Sequence, residues 1–328
     1  MKALVLGATG HIGAHIVRAL LAEGHEVRAA FRKPAYLEVL DELPVERVRV
    51  DLDSLEGLRE ASEGRAWVFH AAAYYPRPTE LRDGAIARGT ESARRVLESI
   101  GRAGPAKVVF TSSAATLRRA EGRPVTERDA EAWPPPPSRS VYAAVKIAME
   151  REALNAQARG LPVVVTNPSV CLGEYDAHEF SGRAALVFAR GRMPFYLAHM
   201  FNAVYTGDVG LGHVRAAERG RPGARHLLAA HDVTVKHFAD LVARAAGVAA
   251  PRWRVPQPVV NAAALATGAW ARLTRTEPLI PMELVQYARM DQRLDASDSA
   301  RELGLEWTPL EEAIRRTLAW FREHGRLR

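Results

Sequence analysis

The chain has 328 residues, of which 48% are hydrophobic and 25% are charged, and its net charge at pH 7 is +7. This composition is typical of a globular protein and excludes a disordered chain. The positive charges are scattered and form no dense basic block with interleaved aromatic residues, so we expect no nucleic-acid partner, whereas a basic surface favours anionic ligands.

Cysteine content and hydropathy indicate the cellular compartment. Cys171 is the only cysteine, which excludes an internal disulfide and fits a reducing environment. The apolar N-terminal stretch is too short for a signal sequence, and the weakly polar stretch from Val259 to Trp270 contains Asn261 and is too short to span a bilayer. We therefore expect a cytoplasmic protein with no membrane partner.

Short apolar runs alternate with helical patterns in the first half of the chain. This alternation predicts βαβ units and a parallel sheet. The predicted strands are 3–6, 26–31, 47–50, 67–70, 108–111 and 163–166. Apolar residues at helical spacing in 12–20 and 85–100 predict crossover helices. The fold class is therefore α/β, with a Rossmann-type doubly wound parallel sheet.

The pattern changes after Pro168. Glycines, prolines and aromatic residues in 173–205 predict loops and a short helix above the sheet. A helix and strand over 208–230 are expected to return to the sheet, and the remainder from Thr234 is mostly helical. The predicted domains are a dinucleotide-binding domain, 1–170 with 203–232, and a smaller, mostly helical substrate cap, 171–202 and 233–328.

A glycine-rich turn stands between the first strand and the first helix. Glycine is needed where φ is positive or where a side chain would block a pyrophosphate, and free amides at the helix start donate to phosphate. In this βαβ context, we expect Gly7 and Gly10 to serve the turn and Gly13 to allow close helix packing. The expected cofactor contacts here are Gly7, Thr9, Gly10, His11, Ile12 and Gly13.

Arg32 follows the second strand, at the position where NAD-binding proteins place an acidic residue on the adenosine ribose. A guanidinium binds a 2′-phosphate through paired hydrogen bonds but offers little to a neutral ribose. Arg32 therefore favours NADP, while a solvated Arg32 would leave NAD open.

Tyr142 and Lys146 lie four residues apart, so they share one face of a helix that begins near Ser140, after the proline loop at 134–137. A phenol with a pKa of about 10 is a poor acid or base at neutral pH, and its pKa must fall by roughly two to three units. An ammonium ~4 Å away, at an effective dielectric of ~20, supplies about 4 kcal/mol, which is sufficient.

The chain resembles the extended short-chain dehydrogenase/reductases along nearly its whole length, in particular dihydroflavonol-reductase-like enzymes and nucleoside-sugar epimerases. The stretches that carry the resemblance are the glycine turn, 27–32, Asp51-Leu52, His70-Ala71-Ala72-Ala73, Thr111-Ser112-Ser113-Ala114, Tyr142 with Lys146, and Asn167-Pro168.

This resemblance implies a role for each matching residue. Tyr142 exchanges the proton, Ser113 hydrogen-bonds the substrate oxygen, Lys146 also binds the nicotinamide ribose, and Ser112 is structural. The implied cofactor contacts are Arg32 at the 2′-phosphate, Asp51 and Leu52 around the adenine, Ala71, Ala72 and Ala73 along the channel, and Thr111, Asn167 and Pro168 towards the nicotinamide. Many relatives carry Arg at Asn167 and Gly-Pro at Gly173-Glu174, so nucleotide-sugar contacts of the better-known epimerases are not carried over.

Weaker signals concern substrate and metal. Tyr74 and Tyr75 follow the fourth strand at the edge that faces the ligand crevice, and Tyr175 lies in the cap loops. We expect Tyr74 and Tyr175 to contact substrate, with loop packing as the alternative. His11 and His15 lack an evident carboxylate partner, so no metal site is expected.

Three functions stay open at this point. The first is an NADP-dependent reductase of a small-molecule carbonyl, which Arg32 favours. The second is a nucleoside-diphosphate-sugar epimerase or dehydratase that uses bound NAD(P). The third is a non-catalytic NADP-sensing protein, which has no need of Ser113, Tyr142 and Lys146. The resemblance also implies a homodimer, because relatives often pair through the helices that carry the tyrosine.

Overall fold

The computed structural model describes residues 1–72, 74–76, 80–117, 122–130, 140–179, 181–274 and 293–327. Ala73 and the predicted proline loop at 134–137 lie outside these ranges. The strands are β1 (Lys2–Leu6), β2 (Glu26–Phe31), β3 (Glu46–Arg49), β4 (Trp67–His70), β5 (Lys107–Thr111), β6 (Val163–Pro168), β7 (Val170–Leu172), β8 (Phe195–Leu197), β9 (Met200–Tyr205), β10 (Arg225–Leu228), β11 (His231–Thr234) and β12 (Trp253–Val255). The helices are α1 (His11–Ala22), α2 (Leu58–Ser62), α3 (Arg82–Arg102), α4 (Val141–Ala158), α5 (Arg183–Ala189), α6 (Thr206–Arg219), α7 (Val235–Ala246), α8 (Gln257–Thr274), α9 (Ser297–Leu303) and α10 (Leu310–Glu323).

The main sheet has seven strands within the described ranges, in the order β10-β6-β5-β4-β1-β2-β3. Every neighbouring pair is parallel. The six strands predicted from the sequence are all present, and the doubly wound fold class is confirmed. Because β1 lies between β2 and β4, the chain reverses its direction of winding there, and ligands bind outside such a reversal point in folds of this kind.

Helices cover both faces of this sheet. Val5 of β1 belongs to a buried cluster with Ile16 of α1 and Val209 of α6, whereas the preceding Leu4 belongs to the opposite cluster, against α3 and α4. Alternate strand residues point to opposite faces, so β1 is apolar throughout because both faces are buried. Each fully buried Leu or Val contributes roughly 1.5–3 kcal/mol.

The remaining elements form smaller units. Strands β11, β9 and β7 make one small sheet, and β12 and β8 make another. Helices α5, α7 and α10 pack around a separate apolar cluster that contains Phe238 and Phe321. This part of the chain thus contains short strands in addition to the helices predicted from the sequence. Within the described ranges, no helix combines the length and the apolar character needed to cross a bilayer.

Candidate active site

The glycine turn presses the end of β1 against the segment that follows β4. Gly7 has φ +81°, and a Cβ at this position would lie 3.0 Å from the Ala72 Cα. A Cβ on Gly13 would lie 2.0 Å from the Gly7 carbonyl oxygen. Glycine is therefore required at both positions, and Ala71 and Ala72 come to lie beside the turn at the reversal point between β1 and β4.

The start of α1 offers donors to an anion. Gly10 is the N-cap residue, and no side chain in the described ranges caps the helix through a hydrogen bond. The amides of the first turn, which includes His11 and Ile12, are available to an acceptor at the positive end of the helix dipole. Thr9 lies in the same turn. This arrangement fits a cofactor pyrophosphate.

The predicted adenosine side of the crevice lies at the ends of β2 and β3. The Arg32 side chain is 60% exposed, and its Nη1 lies 3.5 Å from Asp53 Oδ2. The Asp51 Oδ1 accepts a hydrogen bond from the Asp53 amide at 2.9 Å. Leu52 packs against the apolar cluster beneath α3 and α4. Arg32 is thus exposed to solvent and has a carboxylate neighbour.

Helix α4 positions the tyrosine and the lysine. Its N-cap Ser140 accepts a hydrogen bond from the Ala143 amide at 3.3 Å, which fixes the helix start. Tyr142 is half-buried in the first turn, while Lys146 is only 2% exposed. The Lys146 Nζ lies 6.0 Å from the Tyr142 ring centroid and donates to the Thr111 carbonyl at 3.5 Å. The pair lies beside the end of β5.

Burial lowers the pKa of Lys146 to about 8, and the Glu150 carboxylate opposes this shift. The Lys146 side chain therefore keeps its proton at neutral pH, although it lies among apolar groups. A buried cation next to a phenol stabilises the phenolate form by electrostatic attraction.

The two serines after β5 have different partners. The Ser112 hydroxyl donates to the Glu150 carboxylate and is buried. The Ser113 Oγ accepts a hydrogen bond from the Ala115 amide at 3.2 Å. Because that contact uses a lone pair, the Ser113 hydroxyl hydrogen is available to another acceptor. The geometry therefore agrees with a structural Ser112 and a ligand-facing Ser113, and these roles stay predictions.

Glu150 of α4 connects β6, β10 and the segment after β5 beneath the site, a role that sequence reasoning missed. Its carboxylate accepts hydrogen bonds from Asn167 Nδ2 at 2.9 Å, Thr116 Oγ1 at 2.8 Å and Arg225 Nε at 2.7 Å. The sequence feature that could have revealed Glu150 is its position four residues after Lys146, on the same face of α4. The amide of Asn167 also donates to Ser113 O at 3.2 Å, so its donors are used inside the protein, and a direct cofactor contact by Asn167 stays a prediction.

The adjacent tyrosines after β4 point to different places. The Tyr74 hydroxyl donates to Glu80, and its ring packs on the side of α3 and α4. The Tyr75 ring instead stacks on Tyr142, and the Lys146 Nζ lies 5.6 Å from its centroid. Tyr75, not the predicted Tyr74, is thus the neighbour of the candidate catalytic residues.

Tyr75 is 46% exposed, as expected for a group that lines a crevice. Burial, together with a hydrogen bond to Tyr142, raises the pKa of Tyr75 well above its ordinary value. Tyr75 therefore stays protonated at neutral pH and can donate a hydrogen bond.

The loop after β7 holds Tyr175, which was predicted to contact substrate, and Asp176, which was not predicted. Tyr175 packs behind α1, with its ring centroid 5.1 Å from that of His15 and 3.8 Å from the Arg18 guanidinium. The next residue, Asp176, is buried, and one of its carboxylate oxygens accepts from the Gly182 amide at 2.7 Å. Burial raises the pKa of Cys171 to about 12, with a smaller contribution from Asp176, so this thiol is not reactive.

Other predicted positions fall around these groups. The His11 Nε2 and the Thr206 Oγ1 are 2.8 Å apart, which ties α1 to α6. Pro168 is buried at the end of β6. The described residues contain no group of three or more His, Cys, Asp or Glu side chains placed to hold a metal ion.

Comparison with known proteins gives the family. The sequence model of the NAD dependent epimerase/dehydratase family matches residues 3–226. The chain is 32% identical to sterol demethylase protein B of Methylococcus capsulatus, over 99% of both chains. It is 28% identical to a 4-hydroxy-2-methyl-3-oxo-4-farnesyl-3,4-dihydroquinoline-1-oxide ketoreductase of Stigmatella aurantiaca, over 93% of this chain and 91% of the relative.

A solved structure agrees with this assignment. A nucleoside-diphosphate-sugar epimerase from Pseudomonas aeruginosa superposes with a TM-score of 0.82 and 26% identity, over 100% of this chain and 99% of that one. The family match covers the strands and loops that hold the glycine turn, Ser113, Tyr142 and Lys146. The chain therefore belongs to the NAD-dependent epimerase/dehydratase family and is an NAD(P)-dependent enzyme of the extended short-chain dehydrogenase/reductase type.

Proposed function

We propose that this enzyme is an NADP-dependent oxidoreductase that reduces a carbonyl group, with Tyr142 as the proton donor. The observation that carries the proposal is the grouping of Tyr142, Lys146 and Ser113 at the end of β5, with Lys146 bound to the Thr111 carbonyl. A phenol beside a buried cation and a serine hydroxyl is suited to proton transfer at a carbonyl oxygen.

The chain's own residues would hold the cofactor in this way. The first-turn amides of α1 bind the pyrophosphate, and Arg32 binds the 2′-phosphate. We assign the rest of the cofactor crevice to the residues that the sequence predicted and the structure describes: Asp51, Leu52, Ala71, Ala72, Thr111, Asn167 and Pro168. When bound, the reduced nicotinamide supplies a hydride to the carbonyl carbon. The proposal keeps the two domains predicted from the sequence. The substrate would bind between the carboxyl edge of the sheet and the cap.

The proton follows a separate route. Tyr142 donates its hydroxyl proton to the carbonyl oxygen, while Ser113 donates a hydrogen bond to the same oxygen. The ammonium of Lys146 and the hydroxyl of Tyr75 stabilise the phenolate that Tyr142 becomes. The carbonyl thus gains a hydride at carbon and a proton at oxygen to become an alcohol, and Tyr142 recovers a proton from solvent.

The substrate class that we favour is a bulky apolar or aromatic ketone. The aromatic ring of Tyr75 lines the approach to Tyr142 and is partly exposed, which suits stacking with an apolar ligand. The names of two relatives, a sterol demethylase protein and a farnesyl-quinoline ketoreductase, support the same class.

A nucleoside-diphosphate-sugar epimerase is the second candidate, and the structural likeness to the epimerase from P. aeruginosa favours it. Such an enzyme oxidises and re-reduces one carbon with no net redox change. It therefore needs no added cofactor when its own stays bound.

One set of assays separates the candidates. Purified enzyme is given NADPH or NADH with a panel of steroid, flavonoid and quinone-type ketones, and separately UDP- and dTDP-sugars without added cofactor. We expect NADPH oxidation with an apolar ketone, and Tyr142→Phe should lower turnover by about 10²–10⁴-fold without changing NADPH binding measured by fluorescence. Sugar epimerisation without added cofactor would support the second candidate, and unchanged turnover in the variant would overturn the role of Tyr142.

A further inference from the structure

Most large apolar side chains that the described residues expose lie in one region. Nine such residues are exposed, and six of them fall between positions 193 and 270. These six form what we call the apolar patch: Met193, Phe195, Trp253, Val259, Leu265 and Trp270. Single exposed apolar residues are ordinary, whereas a contiguous group marks an interaction surface.

The apolar patch belongs to one structural unit. In the β8–β12 pair, Trp253 is the register partner of Phe195, and the Trp253 amide donates to the Pro194 carbonyl at 3.0 Å. Helix α8 follows β12 directly and packs its inner side, through Val260, on Leu197 and Val255 of the same strands. The two strands and the helix are therefore continuous in space.

The side chains of α8 that the structure describes as exposed are all uncharged. The residues of α8 described as exposed are Pro258, Val259, Ala262, Leu265, Ala266, Trp270 and Thr274. At 100° per residue, the first six fall within one face, about 18 Å long. A surface helix normally places charged residues on its outer face, so this apolar face is unfavourable in water.

The charge of the surrounding sequence indicates what covers the apolar patch. From Leu241 to Thr276 the sequence contains no Asp or Glu. The same segment contains the arginines Arg244, Arg252, Arg254, Arg272 and Arg275. Arg252 and Arg254 are exposed on either side of Trp253. Tryptophan and arginine at the border of an apolar helix face are characteristic of segments that lie in the interface of an anionic bilayer.

Association of two copies through the apolar patch is less favourable. It would bring the same arginines together, and the segment offers no acidic partner. We propose that the apolar patch docks the enzyme on an anionic lipid surface, with α8 lying in the plane of the interface. This differs from the sequence-based expectation of no membrane partner, and it is independent of the proposed substrate.

Vesicle binding tests this proposal with the full chain. Wild-type protein is sedimented with vesicles of phosphatidylcholine alone or of equal parts phosphatidylcholine and phosphatidylglycerol. We expect binding to the anionic vesicles that weakens as salt is raised. The double variant Leu265→Glu, Trp270→Glu should weaken this binding about tenfold or more, since two apolar side chains no longer enter the bilayer.

Matched control variants test whether the loss of binding is specific to the apolar patch or follows from any change of surface charge. Leu81→Glu changes a leucine that is 83% exposed elsewhere and should leave binding unchanged. Arg252→Glu with Arg254→Glu should weaken binding more than Arg59→Glu with Arg301→Glu, which changes the net charge equally at exposed positions.

Equal loss in the matched pairs, or binding to neutral vesicles alone, would overturn the proposal. A wild-type dimer that Leu265→Glu, Trp270→Glu dissociates, without vesicle binding, would show that a second copy covers the apolar patch. Carbonyl turnover of the variants in solution is a separate readout, so failure of the proposed function would not affect this result.

Discussion

The ring of Tyr75 lies nearly parallel to that of Tyr142, with 5.6 Å between centroids and 22° between planes. Burial and the neighbouring Tyr142 raise the pKa of Tyr75 well above its ordinary value, so the Tyr75 phenol stays protonated and can donate a hydrogen bond to the Tyr142 oxygen. A donor aimed at the Tyr142 oxygen stabilises its phenolate form. In the proposed mechanism, Tyr75 is therefore a second neighbour of Tyr142, besides Lys146, that would stabilise the phenolate.

Removal of the Tyr75 hydroxyl should alter the pH dependence of turnover. In the alcohol-oxidising direction, Tyr142 must be a phenolate, so Tyr75→Phe should move the acid limb of the kcat profile to higher pH and lower kcat by about tenfold. The control is Tyr74→Phe, whose hydroxyl binds Glu80 instead. Identical profiles for the two variants would show that Tyr75 does not act on Tyr142.

The buried ammonium of Lys146 should lower the free energy of unfolding, although the proposed mechanism requires it. Its pKa falls from 10.5 to about 8 on folding, so the unfolded chain binds this proton more tightly. The free energy of unfolding should therefore rise as the pH increases from about 8 to 10.5. Below pH 8 the burial of the charged lysine destabilises the protein to its full extent. At 1.36 kcal/mol per unit, that destabilisation is on the order of 3 kcal/mol.

Lys146→Met should thus increase the free energy of unfolding at pH 7 by roughly 1–3 kcal/mol and abolish turnover. Urea unfolding at several pH values measures the free energy of unfolding. In the wild type this free energy should rise above pH 8, and in the variant that rise should be absent. Lys236→Met removes an exposed lysine paired with Asp240 and should change stability little. A less stable Lys146→Met variant would contradict this account.

Glu150 acts on the site through Lys146. Its carboxylate opposes the fall in the pKa of Lys146, so Glu150→Gln should lower that pKa further. The alkaline limb of the turnover profile should move down by about one pH unit, and stability should fall by about 1–3 kcal/mol because Arg225 loses its charged partner. Glu152→Gln, on the same helix, is the control. A loss of stability without a shifted profile would assign Glu150 a structural role alone.

Arg32 and its neighbour Asp53 should set the cofactor preference in opposite directions. Arg32→Ala should weaken NADPH binding by about tenfold or more and leave NADH binding nearly unchanged, since only NADPH carries the 2′-phosphate. Asp53→Asn removes the carboxylate 3.5 Å from the Arg32 Nη1 and should strengthen NADPH binding. Fluorescence titration measures both dissociation constants. Equal weakening for the two cofactors in Arg32→Ala would argue against a 2′-phosphate contact.

Local patterns predicted most of the fold. The strands are short apolar runs because both faces of the sheet are buried, and α4 begins at Val141 because Ser140 supplies a cap. β10 was expected only as part of a returning helix and strand, and its place beside β6 depends on a long-range pairing. The short strands of the smaller sheets carry three to six residues each, too few to show a clear period.

The site was predictable where chemistry depends on spacing along one element. Tyr142 and Lys146 share a helix face, whereas Tyr75 reaches them from the loop after β4. Side-chain direction in a loop depends on tertiary packing, so the sequence could not distinguish Tyr74 from Tyr75. The network of Glu150 joins β6, β10 and α4, and only the assembled sheet brings these groups together.

The glycines of the turn and of α3 should respond to alanine in opposite ways. A Cβ on Gly13 would lie 2.0 Å from the Gly7 carbonyl oxygen, so Gly13→Ala must displace the turn and should greatly weaken dinucleotide binding and lower the melting temperature. Gly101 lies within α3, and a Cβ there would lie 3.7 Å from the Leu161 side chain, an ordinary van der Waals distance. Gly101→Ala should therefore be neutral or stabilise the protein by up to about 1 kcal/mol. Thermal unfolding and NADPH titration of both variants check this, and a Gly13→Ala protein with unchanged affinity would show that the turn tolerates displacement.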